Sequence, residues 1–247
     1  MLNSARITCD FLRLKAGDTA LLCMPLDYIA GKMVVVRSIE RNLRLINVKP
    51  SGHPLSDDSL RQANAFHEEI TFAAMVPLQV YNSLQVPQER ERLRKIKQLI
   101  IGGGAIDDHL AEALKDFPHA VWSTYGMTET LSHIALRRLN GDSASDWYEP
   151  FDSVEVNLNT DGCLIINAPA VCSKPLVTND RAELQTISLS NDKHKQVRFR
   201  ILGRRDNVID SGGIKIQIEE VERALKAHLT EEYAITSIRD KKFGERV

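Results

Sequence analysis

Five short apolar runs set what the first half of this chain can fold into. They are TALLCM at 19–24, LRLINV at 43–48, ITFAAMV at 70–76, LII at 99–101 and AVW at 120–122. Each has the length of a strand and stops abruptly: at Pro25, at Pro50-Ser51-Gly52, at Pro77, at Gly102-Gly103-Gly104, and at the polar stretch from Ser123. Proline cannot donate to a ladder and glycine breaks regular structure, so these are ends rather than interruptions. Helical patterns separate the runs. Ser4–Leu14 and Leu78–Leu84 read as short helices, and Glu89–Lys97 as a highly charged one. Ile29, Met33, Val36 and Ile39 recur at helical spacing, as do the apolar residues of 107–117. Asp57 or Asp58 is placed to cap a helix from Ser59 to His67. Nearly continuous apolar strands alternating with helices predict a mostly parallel sheet covered on both faces, an α/β fold.

The pattern changes after Arg138. Val154–Leu158, Cys163–Asn167, Glu183–Leu189 and Val197–Leu202 are short strand-like runs, with turns expected at 159–162, at Thr178-Asn179-Asp180 and at 191–195. They predict a small antiparallel region, barrel-like in character. A helix over Ile218–Leu229 and a strand over Ala234–Ile238 then start a further α+β region.

Within the first half, residues 122–129 (WSTYGMTE) form a buried strand running into a turn rich in polar groups. Gly126 allows a sharp turn or the close approach of a ligand. Tyr125 offers a flat face, Thr128 a hydroxyl, and Glu129 a carboxylate able to hold a hard cation. In an open α/β sheet, ligands bind beyond the carboxyl ends of strands, where this turn lies. The run at 102–105 (GGGA) fits neither the Walker spacing nor the dinucleotide fingerprint. It exposes backbone at a strand end, against which a planar base could lie. Arg37 is a cation on a mostly apolar helix. It either snorkels to the surface or reaches a pocket to grip a carboxylate with its planar fork.

The formal net charge is -1, from 32 basic and 33 acidic residues, so charge gives no case for nucleic acid or an anionic membrane. No apolar run approaches a membrane span, and residues 1–15 lack the apolar core of a signal peptide. The four cysteines form no CxxC pair, which argues against a zinc site and for reduced thiols in a cytoplasm.

Taken in order, GGGA at 102–105, YGMTET at 125–130, TND at 178–180 and GRRDNVIDSGGIKIQIEEVE at 203–222 resemble the motifs of the adenylate-forming ligases. These comprise acyl-CoA synthetases, peptide-synthetase adenylation domains and luciferases. Within them the likeness is to the o-succinylbenzoate–CoA ligases of bacterial menaquinone synthesis, through CMPLDYIAGKMVVVR at 23–37 and SGGIKI at 211–216. The resemblance covers essentially the whole chain. It implies a large AMP-binding domain over residues 1–203, lacking its first part, then a hinge and an incomplete small C-terminal domain over 204–247. It implies an acid–thiol ligase that uses ATP, Mg2+ and coenzyme A on an aromatic carboxylate, with AMP and diphosphate released.

By motif position, Gly103, Gly104 and Ala105 would line the adenine, with Tyr125 stacked on it and Gly126 beside it. Thr128 would contact phosphate and Glu129 would hold magnesium, the two forming the catalytic pair. Asp180 and Arg204 would grip the ribose. Asp206 would be the hinge, Gly213 and Lys215 would lie near coenzyme A, and Arg37 would bind the acid. The resemblance leaves homo-oligomerisation open.

The chain departs from the family pattern in several places. A Ser/Thr/Gly-rich phosphate loop is expected upstream of residue 4, and a catalytic lysine beyond residue 247, so the chain reads as a middle piece. Tyr28 stands where many relatives have histidine, and Ile218 where proline is common. Two other readings follow: a ligase for a different aryl or acyl acid, and a non-catalytic nucleotide-binding remnant.

Overall fold

The computed structural model describes residues 1–60, 69–188, 195–226, 228–229 and 233–247. These divide into two compact units. One comprises residues 1–154 with 168–173, the other 155–167 with 174–247.

The first unit is built on one seven-stranded sheet. In chain order its elements are α1 (Leu2–Phe11), β1 (Thr19–Leu22), α2 (Ile29–Arg41), β2 (Arg44–Asn47), β3 (Phe72–Met75), α3 (Pro77–Gln85) and α4 (Pro87–Lys95). There follow β4 (Gln98–Ile101), α5 (Asp108–Leu114), β5 (Ala120–Gly126), β6 (His133–Arg138) and β7 (Glu149–Pro150). The spatial order is β2-β1-β3-β4-β5-β6-β7. The strands β2, β1, β3, β4 and β5 are mutually parallel, and β6 and β7 return antiparallel. The α/β sheet expected from the apolar runs is therefore present, and all four residues of both β1 and β3 are buried.

The core is continuous along this sheet. Leu21, Phe72, Leu99 and Val121, one from each of four parallel strands, belong to it together with Leu14, Leu55, Leu93 and Leu114. Phe11 of α1 meets Trp122 and Phe151 edge-on, each at 5.3 Å between ring centres, so aromatic packing seats α1 against β5. Helix starts follow their local chemistry. Pro77 and Pro87 occupy first-turn positions, where the missing N–H is no loss, and the Asp107 carboxylate accepts the Leu110 N–H at 2.8 Å. Asp57 accepts the Ser59 N–H, and of the helix expected from Ser59 to His67 the described residues Ser59 and Leu60 are helical while 61–67 lie outside the described residues.

The second unit is antiparallel throughout. Strands β8 (Glu155–Leu158), β9 (Cys163–Asn167), β10 (Leu176–Ser188) and β11 (Lys195–Arg204) form a sheet in the order β11-β10-β9-β8. This is the small antiparallel region expected from the sequence. Thr178-Asn179-Asp180, expected as a turn, lies inside β10. The polarity of these residues marks instead an irregularity in the β9–β10 register between Val177 and Arg181. Of the turn expected at 191–195, residues 191–194 lie outside the described residues and Lys195 begins β11.

Strands β12 (Val208–Ser211), β13 (Ile214–Gln217), β14 (Ile238–Asp240) and β15 (Gly244–Arg246) form another sheet in the order β13-β12-β15-β14, with α6 (Ile218–Lys226) following β13. The strand expected over 234–238 begins only at Ile238.

One polar side chain holds the end of the parallel sheet together. Asn140, 1% exposed, donates to the Phe117 and His119 carbonyls at 2.8 and 2.7 Å, and accepts from the Val121 N–H at 3.0 Å and Arg138 Nε at 2.8 Å. Removing it strands several buried groups at once. Asn140→Ala is expected to destabilise the fold by roughly 2–3 kcal/mol, read from the urea midpoint. A change within about 0.5 kcal/mol, typical of surface sites, would show that these groups find other partners.

Candidate functional site

The carboxyl ends of the parallel strands open onto a cavity of about 260 Å³. Met24 follows β1, Met75 and Val76 close β3, Gly102 and Gly103 follow β4, and Thr124, Gly126 and Thr128 lie along and beyond the end of β5. Ile29, Ala30 and Arg37 of α2 line another wall, and Leu131, Ser132 and His133 complete it. This is where an open α/β sheet places its ligands.

The last three residues reach the cavity because β6 starts where β5 ends. Gly126 pairs with His133 across an irregular register. A Cβ on Gly126 would stand 2.4 Å from the Ser132 carbonyl oxygen and 2.5 Å from the His133 Cα. The glycine is needed for the chain's own backbone, a different reason from the turn or ligand approach that its sequence context suggested. Between the two strands, residues Thr128–Thr130 make one 3-10 turn, and Leu131 takes the left-handed region at φ 64°. A leucine there is strained and is held by its surroundings.

Arg37 dominates the electrostatics. It is 2% exposed, so the surface alternative does not apply. Its Nη2 donates to Ser132 Oγ at 2.7 Å, while its Nε is buried with no hydrogen-bond partner. Among the described residues no carboxylate pairs with it. Burial pushes its pKa down to about 10, partly opposed by Cys9, so it remains a cation at neutral pH. His133 lies beside it, with Nδ1 3.2 Å from Ser132 Oγ and Nε2 3.0 Å from Thr8 Oγ1. Burial, and secondarily the charge of Arg37, hold this imidazole well below its usual range, so it is neutral.

Of the residues singled out from sequence, Arg37, Gly103, Gly126 and Thr128 line this one cavity. Gly103 has φ +81°, a conformation glycine adopts freely, and Gly104 and Ala105 are exposed beside it. Glu129 is exposed on the 3-10 turn. Tyr125 is half-buried, its ring 5.8 Å from that of Tyr148.

The other singled-out residues lie in the second unit. Asp180 of β10 is opposite Arg204 of β11, with Nη1 and Oδ1 3.7 Å apart. Arg204 also donates from Nε and Nη2 to the two oxygens of Asp206, at 2.9 and 2.8 Å. These hydrogen bonds hold the Asp206 carboxyl below the usual range. Gly213 donates its N–H to Asp210, and Lys215 of β13 is opposite Asp210 in register.

Sequence reasoning missed Ser132, His133 and Thr8. A Ser-His pair directly after the polar turn was the available signal, but nothing local marks β6 as a returning strand.

The profile of the AMP-binding enzyme family matches residues 1–160. The chain belongs to this family. The 2-succinylbenzoate–CoA ligase of Salmonella typhimurium is 26% identical over 257 residues, covering 99% of this chain and 51% of that protein. The chain thus spans about half the length of the curated relatives it matches. An acyl-CoA synthetase (AMP-forming)/AMP-acid ligase II-like protein from Dyadobacter fermentans superposes with a TM-score of 0.71 at 32% identity, over 99% of this chain and 67% of that one. E. coli MenE, with a bound m-phenylether-linked analogue of OSB-AMS, gives a TM-score of 0.73 at 26% identity, over 99% and 53% of the two chains.

The buried imidazole makes stability depend on pH. An exposed histidine titrates near 6.5, whereas His133 folded titrates well below that. In the window between, the unfolded chain binds a proton that the folded chain does not. Stability is therefore fully present above about pH 6.5 and falls as pH drops, by up to about 1.4 kcal/mol per pH unit for this group. Urea midpoints of the native chain and of His133→Asn, compared at pH 7 and pH 5, should show a shallower fall in the variant. Parallel curves would mean that His133 titrates normally.

Proposed function

We propose that this chain is the acid- and nucleotide-binding part of an AMP-forming acyl-CoA ligase whose acid is a dicarboxylate of the 2-succinylbenzoate kind. The carrying observation is Arg37, a buried guanidinium facing a cavity and lacking an acidic partner among the described residues. An ordinary acyl ligase consumes the one carboxylate of its substrate in adenylation. A second anion site in the acid pocket is useful only if the acid carries a second carboxylate. The apolar walls from Met24, Ile29, Met75 and Ile100 suit an aromatic ring. The 2-succinylbenzoate–CoA ligases among the relatives, and the OSB-AMS analogue bound by E. coli MenE, support the same acid.

In this reading the carboxylate oxygen attacks the α-phosphorus of ATP, and the bond to diphosphate breaks. The coenzyme A sulfur then attacks the acyl carbon of the adenylate, and AMP leaves. Two anions must meet in the first step, so fixed donors and cations must offset their repulsion. Gly103, Gly104 and Ala105 expose backbone for the adenine, Tyr125 offers a ring to stack on it, and Thr128 reaches the cavity for a phosphate oxygen. Asp180 and Arg204 would take the ribose.

Glu129 is the residue that would hold magnesium. Among the described residues no group of three His, Cys, Asp or Glu side chains forms a metal cage. One exposed carboxylate fits magnesium, which binds through one or two carboxylates plus substrate phosphates. When bound, the ion would neutralise charge developing on those phosphates. We further assign residues 1–203 to the AMP-binding domain and 204–247 to the hinge and small domain, with Asp206 at the hinge and Gly213 and Lys215 near coenzyme A.

Charged hydrogen bonds of the Arg–carboxylate kind contribute roughly 1.5–3 kcal/mol. Arg37→Ala should therefore weaken calorimetric binding of 2-succinylbenzoate about ten- to a hundredfold, and change little for the analogue lacking the ring carboxylate. Arg37→Lys should restore only part, because an ammonium lacks the planar fork. Equal losses for both acids would remove the dicarboxylate and leave the ligase family.

A further inference from the structure

Arg37 is held by a chain of groups that the nucleotide motifs do not include. Ser132 Oγ accepts from Arg37 Nη2 at 2.7 Å. Ser132 Oγ is also 3.2 Å from His133 Nδ1. His133 Nε2 is 3.0 Å from Thr8 Oγ1, which donates to the Ser4 carbonyl at 3.0 Å. Ser4, Thr8, Arg37 and His133 are all buried.

The two ends set the direction of every proton between them. A guanidinium can only donate and a carbonyl can only accept. Thr8 spends its one proton on Ser4, so it accepts from His133 Nε2–H. His133 Nδ1 is then a bare lone pair that accepts from the Ser132 hydroxyl. In the opposite order the Ser132 proton would have no acceptor among the described residues. The imidazole also packs against Phe151, with 5.7 Å between ring centres.

We propose that His133 is a positioning residue. It is locked as the neutral Nε2–H tautomer between Thr8 and Ser132, and it orients the Arg37 guanidinium without neutralising it. The inference rests on reading Arg37 as the carboxylate-binding group. A carboxylate in place of Ser132 would anchor Arg37 equally well but would cancel the charge that the acid needs. A hydroxyl, itself oriented by an uncharged imidazole, anchors one nitrogen and leaves the cation available. The device spans three elements: α1 supplies Ser4 and Thr8, α2 supplies Arg37, and β6 begins with His133, directly preceded by Ser132.

The test uses the full chain without ligand, labelled with 15N in histidine and arginine. Long-range proton–nitrogen NMR spectra at neutral pH should show His133 with its proton on Nε2. The Arg37 Nη signals should be resolved, as expected for a guanidinium whose rotation is blocked. They should coalesce in Ser132→Ala and in His133→Phe, and stay resolved in His133→Asn, whose amide oxygen can still accept from Ser132. Binding of 2-succinylbenzoate should fall about tenfold in Ser132→Ala and in His133→Phe. The double variant should be no worse than either, since both break one chain.

An Nδ1–H or doubly protonated ring overturns the proposal, as do Arg37 signals unchanged in Ser132→Ala. If His133→Phe does not fold, the native tautomer and Ser132→Ala decide alone. Failure of 2-succinylbenzoate to bind even the native chain would refute the assigned acid, while the ligand-free spectra would still decide the role of His133.

Discussion

The site depends on one close approach, that of the start of β6 to the end of β5 at Gly126. The strands β2, β1, β3 and β4 end within about a residue of one another while β5 runs three residues further, and their carboxyl ends alone would make a cleft lined by backbone and apolar groups. The antiparallel return of β6 brings Ser132 and His133 back to the end of β5. No side chain fits at residue 126, because the Ser132 carbonyl and His133 Cα already occupy the space. The strained Leu131 is the other half of this turn. Adding even a methyl group at Gly126 would have to move β6, and with it the hydroxyl that holds Arg37.

A buried cation with an unpartnered Nε is a local liability. Taking a guanidinium from water without an anion costs several kcal/mol in an apolar interior, and the loss falls only as far as the remaining donors reach water or other dipoles. Here the fold offers one hydroxyl, and the lowered Arg37 pKa records the same penalty. Such groups survive where function needs them, because most of the interior is packed well enough to tolerate one poor site. On the proposed reading, a ligand carboxylate supplies the missing anion. The energy withheld from folding then appears as binding selectivity, and the same burial that weakens the fold strengthens the contact.

The parallel half of the fold was legible in the sequence because buried parallel strands are apolar along their whole length. TALL and FAAM are buried at every position, so a simple apolar run sufficed to find β1 and β3. What failed were strands whose polarity has another cause. β6 begins with a histidine and ends in two arginines, of which Arg138 lies over the Trp122 ring at 4.9 Å, so its composition reports side-chain contacts and not strand burial. Thr178-Asn179-Asp180 has the composition of a turn and sits within a ladder. Asp180 faces Arg204 across that ladder, and cross-strand charge is invisible to a local pattern.

The candidate site divides the same way. The glycine run and the YGMTE turn could be placed at strand ends from the apolar runs that precede them, and their roles came from the resemblance. Arg37 could not be settled, because a helical pattern gives the face a residue shares but not whether a cavity opens there.

That division has a consequence for how such a site diverges. The groups proposed for the nucleotide combine backbone at a strand end, from Gly103 to Ala105, with side chains of the turn after β5 and of the second unit, and the strand-end geometry follows from the sheet. The groups proposed for the acid are side chains on α1, α2 and β6, and none of them is required by the parallel ladder. Exchanging Arg37, Ser132 or His133 therefore alters the charge and shape of the acid pocket without disturbing a strand pairing. The choice of acid in this family is then best argued from the few buried polar side chains around the cavity, and the shared nucleotide motifs carry little weight in that choice.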